Sequence, residues 1–217
     1  MSAARALAGL FALLAATHLG ALLADATTLV HLTKPALMPV IAAHVLLRGG
    51  PRPLVAALLC GCGGDVLLQL GGETAFLAGM GCFAAGHLSY LTLFARSGRR
   101  RTGPWVAAGY GAVWLGSTAA LWPGLDAGLR VPVAAYSLLL TTMALGALRA
   151  GPWTGLGGAL FLLSDGLIAA GLADWPQLPV PQFWIMATYC AAQYLLTAGL
   201  LRRTAREAPL RALPAAA

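Results

Sequence analysis

Apolar residues run through this chain in long stretches, and the breaks between them fall at arginines, Pro-Gly pairs and acidic residues. Cutting at that punctuation leaves eight segments: residues 5–24, 32–47, 53–70, 74–95, 104–122, 131–148, 153–173 and 181–201. Each is close to the roughly 20 residues that carry a helix across a hydrocarbon core. A backbone in lipid must satisfy its own N–H and C=O groups, so stretches of this kind are helices. The pattern predicts an all-α, polytopic membrane bundle with a single eight-span domain over residues 1–201. The basic remainder, 202–217, is expected to be a disordered cytoplasmic tail on anionic headgroups. The connections are short, which leaves no room for a soluble domain, so any chemistry belongs among the helices or at their ends.

Composition narrows the class further. Of the 217 residues, 59% are hydrophobic and 10% charged, whereas a soluble domain uses about 25% charged residues to face water. The net charge of +7 does not call for a nucleic-acid partner, because basic loops are what orient a membrane protein. Arginine in fact sorts the loops. With eight spans, one face carries Arg5, Arg48, Arg52, Arg96, Arg99, Arg100, Arg101, Arg149, Arg202, Arg203, Arg206 and Arg211, and the other only Arg130. Four of the seven acids, Asp25, Glu73, Asp126 and Asp174, fall on the arginine-poor face. Both termini are therefore expected in the cytoplasm, with the bilayer, of the bacterial inner (plasma) membrane kind, as the chain's surroundings. The first segment imitates a signal peptide, but removing it would spoil this segregation, so it is read as a helix. Trp122, Trp175 and Trp184 near the outer ends, and Trp105 and Trp153 near the inner ones, suit the lipid boundary.

Halving the chain exposes a weak repeat. Segments three and seven each hold one Asp after small residues, with Gly61, Gly63, Gly64 and Asp65 in one and Gly155, Gly157, Gly158 and Asp165 in the other. A parallel four-plus-four duplication would bring the two acids to similar places near a central axis.

Polar residues inside the apolar segments carry the chemistry. Asp65 and Asp165 are the acids left once the loops are counted, and Lys34 is the one lysine. A mid-helix Asp costs roughly 2.5–3.5 kcal/mol on insertion scales, so such a group faces a cavity or a partner. At ~1.5 Å rise per residue, Asp65 lies on the order of 8 Å and Asp165 about 11 Å inside the outer ends of their segments. The competing reading is an Asp that hydrogen-bonds a neighbouring helix and only holds the bundle together. Lys34, followed by Pro35 and Pro39, is expected to open the second helix with proline in its first turn. There it either snorkels to headgroups or serves as a cation for a lipid phosphate or for Asp65.

His87 and Tyr90 share one face of segment four, and Tyr189, Gln193 and Thr197 recur every four residues on segment eight, which suggests a polar shaft. His18 and His44 stand on apolar faces, where a satisfied core histidine is expected, and His31 is expected in a loop. The four cysteines, Cys60, Cys62, Cys82 and Cys190, all lie inside segments and read as small hydrophobes. The C-x-C at Cys60 and Cys62 points its thiols about 200° apart on a helix, so no metal site and no cofactor are expected.

Taken in order, five motifs carry a resemblance: Thr33-Lys34-Pro35, Gly64-Asp65-Val66-Leu67-Leu68, Gly86-His87-Leu88-Ser89-Tyr90, Leu160-Phe161-Leu162-Leu163-Ser164-Asp165 and Tyr189-Cys190-Ala191-Ala192-Gln193. Over nearly the whole chain they resemble the YhhN-like lysoplasmalogenase family. The resemblance implies an integral membrane hydrolase that cleaves the vinyl ether of lysoplasmalogens to a fatty aldehyde and glycerophosphoethanolamine or glycerophosphocholine, without a required metal. It implies a lysophospholipid partner, catalytic roles for Asp65 and Asp165, and substrate binding by Lys34, His87, Tyr90, Ser164, Tyr189 and Gln193. On chemical grounds Asp165, among Phe161, Leu162 and Leu163, is expected to be the proton donor, and Asp65, among glycines, the ionised partner. The rival reading is a small proton-coupled transporter in which the same pair forms a relay.

Overall fold

The computed structural model describes residues 3–97 and 102–211. Among them the chain forms eight α-helices and no strand: α1 (Ala3–Leu23), α2 (Thr27–Leu47), α3 (Arg52–Leu70), α4 (Glu73–Ser97), α5 (Pro104–Leu121), α6 (Ala127–Ala150), α7 (Pro152–Leu172) and α8 (Pro181–Arg211). Seven of them are long and apolar enough to cross a membrane. The eighth, α5, is diluted by Tyr110, Trp114, Ser117 and Thr118. It nonetheless lies alongside α6, where Trp114 Nε1 donates to Ser137 Oγ at 3.1 Å halfway along both helices. The molecule is a polytopic helical membrane bundle.

Proline and glycine explain the ends. Pro104, Pro152 and Pro181 occupy the first position of α5, α7 and α8, where a missing N–H costs nothing and φ is already helical. Gly151, at φ 144°, joins α6 to α7 through one residue in a conformation that a side chain would resist.

Between helices in lipid there is little hydrophobic drive, so close packing of small residues carries association. A Cβ placed on Gly157 would come within 2.9 Å of the Leu196 backbone of α8, and one on Gly158 within 2.9 Å of Ala144 Cα of α6. Helix α7 is thus wedged between its two neighbours. On the other side α3 and α4 touch nearly backbone to backbone, with Gly86 over the Ala57 carbonyl and Gly79 over that of Gly64. The buried core between them draws Leu37, Met38, Leu58, Tyr90, Met143, Phe161 and Leu196 from six helices. The five boundary tryptophans are all exposed on the bundle surface.

Three helix limits differ from the sequence pattern. Helix α2 begins at Thr27, so Lys34 lies in its third turn, the prolines are internal, and His31 is helical rather than in a loop. The polar Thr27, Thr28 and His31 had hidden that start, although all three are accommodated on the exposed side. Helix α6 starts at Ala127, with Arg130 Nε donating to the Leu125 carbonyl at 3.0 Å. Helix α8 runs on to Arg211, so residues 202–211 continue the last span as helix where a disordered tail was expected. Residues 212–217, like Arg99, Arg100 and Arg101, lie outside the described residues.

Candidate active site

The deeper start of α2 is what brings Lys34 to an aspartate. Its Nζ stands 3.7 Å from Asp65 Oδ1, and the Tyr189 hydroxyl donates to Asp65 Oδ2 at 2.9 Å. Both carboxylate oxygens therefore face a donor, and the group is 2% exposed. Behind it the network continues along α8, with Gln193 Nε2 donating to the Tyr189 oxygen at 3.4 Å and the Tyr90 hydroxyl donating to Gln193 Oε1 at 2.6 Å. Gly61 makes room for this chain, since a Cβ there would lie 3.0 Å from the Tyr189 oxygen and 3.3 Å from Gln193 Nε2. Of the expected shaft, Tyr90, Gln193 and Tyr189 form a hydrogen-bonded ladder to Asp65, and Thr197 takes no part in it.

Asp165 has a different setting. The Tyr136 hydroxyl of α6 donates to its Oδ2, and no donor among the described residues reaches Oδ1. With that donation made, the His87 Nε2–H donates to the Tyr136 oxygen at 3.0 Å, which leaves His87 Nδ1 buried and unpartnered. Both aspartates line one cavity of about 210 Å³, together with Lys34, Tyr189, Ser164, Gln182 and the apolar Leu68, Phe83 and Ile168. Asp165 also borders an apolar cleft lined by Phe76, Met80, Val133 and Leu172. It borders, too, a larger groove of about 360 Å³ between α5, α6 and α7. Asp165 therefore stands where a polar cavity meets apolar space.

Of the residues singled out in the sequence, Lys34, Asp65, Asp165, Ser164 and Tyr189 reach the cavity wall. Ser164 spends its hydroxyl on the Ile185 carbonyl of α8 at 3.0 Å, tying α7 to α8. His87, Tyr90 and Gln193 stand behind the wall and orient Tyr136 and Tyr189. Tyr136 was missed. It is a lone aromatic in an otherwise aliphatic stretch, and a buried phenol needs a partner, but nothing in the sequence says which. His18 is buried, with Nδ1 bonded to Thr33 Oγ1 at 2.8 Å and Nε2 left without a partner, and His44 is half-buried, with Nδ1 bonded to the Ala4 carbonyl at 2.7 Å. The Cys62 thiol is engaged by α2. Pro39 has no N–H to offer the Pro35 carbonyl four residues back, and the Cys62 thiol donates to that carbonyl at 3.4 Å instead. Among the described residues no three His, Cys, Asp or Glu side chains converge as a metal site would require.

The chain is similar to known proteins. Lysoplasmalogenase TMEM86B of Homo sapiens is 34% identical over 163 residues, 71% of this chain and 66% of the relative. The Rattus norvegicus protein of the same name is 36% identical over 149 residues, covering 69% and 61%. That of Sus scrofa is 36% identical over 173 residues, covering 74% and 71%. The chain thus spans slightly under two thirds of the human and rat proteins. No solved structure matches. The family model described as the YhhN family covers residues 29–200, from the first turn of α2 to the middle of α8, and so takes in Lys34, both aspartates and every tyrosine that holds them. On that match the chain belongs to the YhhN family.

Proposed function

We propose that the aspartate cavity hydrolyses the vinyl ether of a lysoplasmalogen, the activity for which the mammalian relatives are named. The observation that carries this reading is the pair of carboxyl groups on one cavity wall with unlike partners. Asp65, with a cation on one oxygen and a phenol on the other, is held as a carboxylate. Asp165, with Oδ1 unpartnered against apolar walls, has an oxygen free to carry a proton. Cleavage of an alkenyl ether needs both. The Asp165 carboxyl delivers its proton to the alkenyl carbon beta to the ether oxygen, and the carbon next to that oxygen becomes part of an oxocarbenium ion. Asp65 stabilises the cation, then takes a proton from water as the water oxygen bonds to that carbon, giving a hemiacetal. Collapse of the hemiacetal moves its hydroxyl proton to Asp165 and the Asp65 proton to the departing glycerol oxygen. An aldehyde leaves, and both acids return to their starting states. No metal enters the cycle.

The lipid fits the same map. Its alkenyl chain lies in the apolar groove between α5, α6 and α7, which meets the cavity at Asp165, and its phosphate lies on the Lys34 side. The deciding experiment is aldehyde release by purified protein in detergent from 1-alkenyl-glycerophosphoethanolamine and -choline, with the 1-acyl lysolipids as controls. Aldehyde from the alkenyl lipids alone supports the reading. Uptake of an unchanged solute into vesicles, with no aldehyde formed, would favour a transporter that uses the same pair as a relay.

A further inference from the structure

We propose a second, independent site: a phosphate-binding cavity at the arginine-rich end of the bundle, between α1, α2 and α8. The cavity, of about 250 Å³, is lined by Arg5, Arg48, Arg202 and His44, and no Asp or Glu lines it. Orientation in the membrane explains why arginines gather at this end. It does not explain a hollow between three helices, or the hydroxyl buried in its wall. Thr197 is 2% exposed, lines the cavity, and its Oγ1 has no hydrogen-bond partner. Thr33, Thr141, Thr142 and Thr188, also within helices, donate to the carbonyl four residues back. Thr197 does not, so its donor is left for an occupant.

Arg5 and Arg48, with Arg202 beside them on the Trp153 ring at 4.7 Å, and a hydroxyl without a competing carboxylate suit an anion with several acceptor oxygens around one centre, and phosphate has that geometry. Phe11, which stacks on Tyr194 with ring centroids 6.4 Å apart, gives the same cavity an apolar wall. The phosphate can therefore arrive on a lipid headgroup or free in solution.

The test uses the full chain in detergent, with dioctanoyl phosphatidic acid, dioctanoylglycerol and inorganic phosphate as probes, read by native mass spectrometry and thermal shift. Phosphatidic acid should bind and dioctanoylglycerol, which lacks the phosphate, should not. The double variant Arg5→Gln/Arg48→Gln, altered at two exposed positions, should bind at least about tenfold more weakly, and Thr197→Val about threefold more weakly. Arg96→Gln, an exposed arginine outside the cavity, should bind as the unaltered chain does. Competition by inorganic phosphate would identify a site open to the free anion, and its absence a site for the lipid-borne group; either supports the proposal. Equal retention of phosphatidic acid and dioctanoylglycerol overturns it, as does unchanged affinity in the arginine pair.

Discussion

Lipid makes an unpartnered carboxyl expensive, and each aspartate is met by a neighbouring helix: Asp65 by Lys34 and Tyr189, both of which stand out in the sequence, and Asp165 by Tyr136, a lone tyrosine with no signature until its hydroxyl is given a direction. Asp65→Asn and Asp165→Asn should each lower aldehyde release by about 10²-fold or more while leaving monodisperse protein. Asn keeps the hydrogen-bonding shape that a merely structural Asp needs, so near-normal turnover in either variant would reduce the pair to helix glue. Tyr136→Phe keeps the Asp165 carboxyl and removes the hydroxyl between it and His87. Its loss of kcat should be smaller, about tenfold, and equality with Asp165→Asn would mean that Tyr136 itself takes part in the chemistry. Lys34 makes a separate stability prediction. Lys34→Met leaves a buried carboxylate without its counter-charge and should destabilise by roughly 3–5 kcal/mol. Adding Asp65→Asn should return much of that stability, though none of the activity. A thermal-shift cycle over the four proteins measures the coupling, and additive losses would mean the ion pair contributes nothing to the fold.

At the scale of the helices, sequence pattern and structure agree on number and order and part company at polar ends. The start of α2 was hidden because Thr27, Thr28 and His31 look like loop residues, and that error of about a turn placed Lys34 at a helix start when it is deep enough to meet Asp65. The Cys62 thiol was likewise unreadable, since its task follows from a carbonyl that Pro39 leaves open in another helix. Glycines show the same limit. Gly64 stands out in the sequence for its place before Asp65, not for its packing, yet a Cβ on it would fall 2.5 Å from the Phe83 ring, while one on Gly81 would meet nothing within 4 Å. Gly64→Ala should therefore cost about 1–3 kcal/mol and depress turnover, because Phe83 is part of the cavity wall. Gly81→Ala should be neutral or stabilising by about 0.4–1 kcal/mol. Matching melting temperatures for the two would mean that α3 and α4 sit farther apart than this packing requires.

For the molecule as a whole, each half packs its helices in chain order, α1 to α4 and α5 to α8, and the most extensive packing falls between α3 and α4 and between α7 and α8. The halves are not alike in detail, since α1 packs extensively on α2 while α5 touches α6 little, and their acids have different partners: Asp65 has Lys34 and Tyr189, and Asp165 has Tyr136. Orientation rests on arginine alone, and α5 is the helix on which it turns. If α5 crosses the bilayer as its contact with α6 implies, the α4–α5 connection and the α5–α6 connection face opposite sides. If it lies in the interface, they face the same side and the second half is inverted. Cysteines at Thr102 and Ala127, one beyond each end of the α5 crossing, separate these cases in a chain whose four native cysteines are replaced. With twelve arginines against one, an impermeant maleimide added to intact cells should label Ala127→Cys and leave Thr102→Cys for lysed cells. Labelling of both from one side would make α5 an interfacial helix, and reversal of the pair would move the aspartate cavity to the cytoplasmic half.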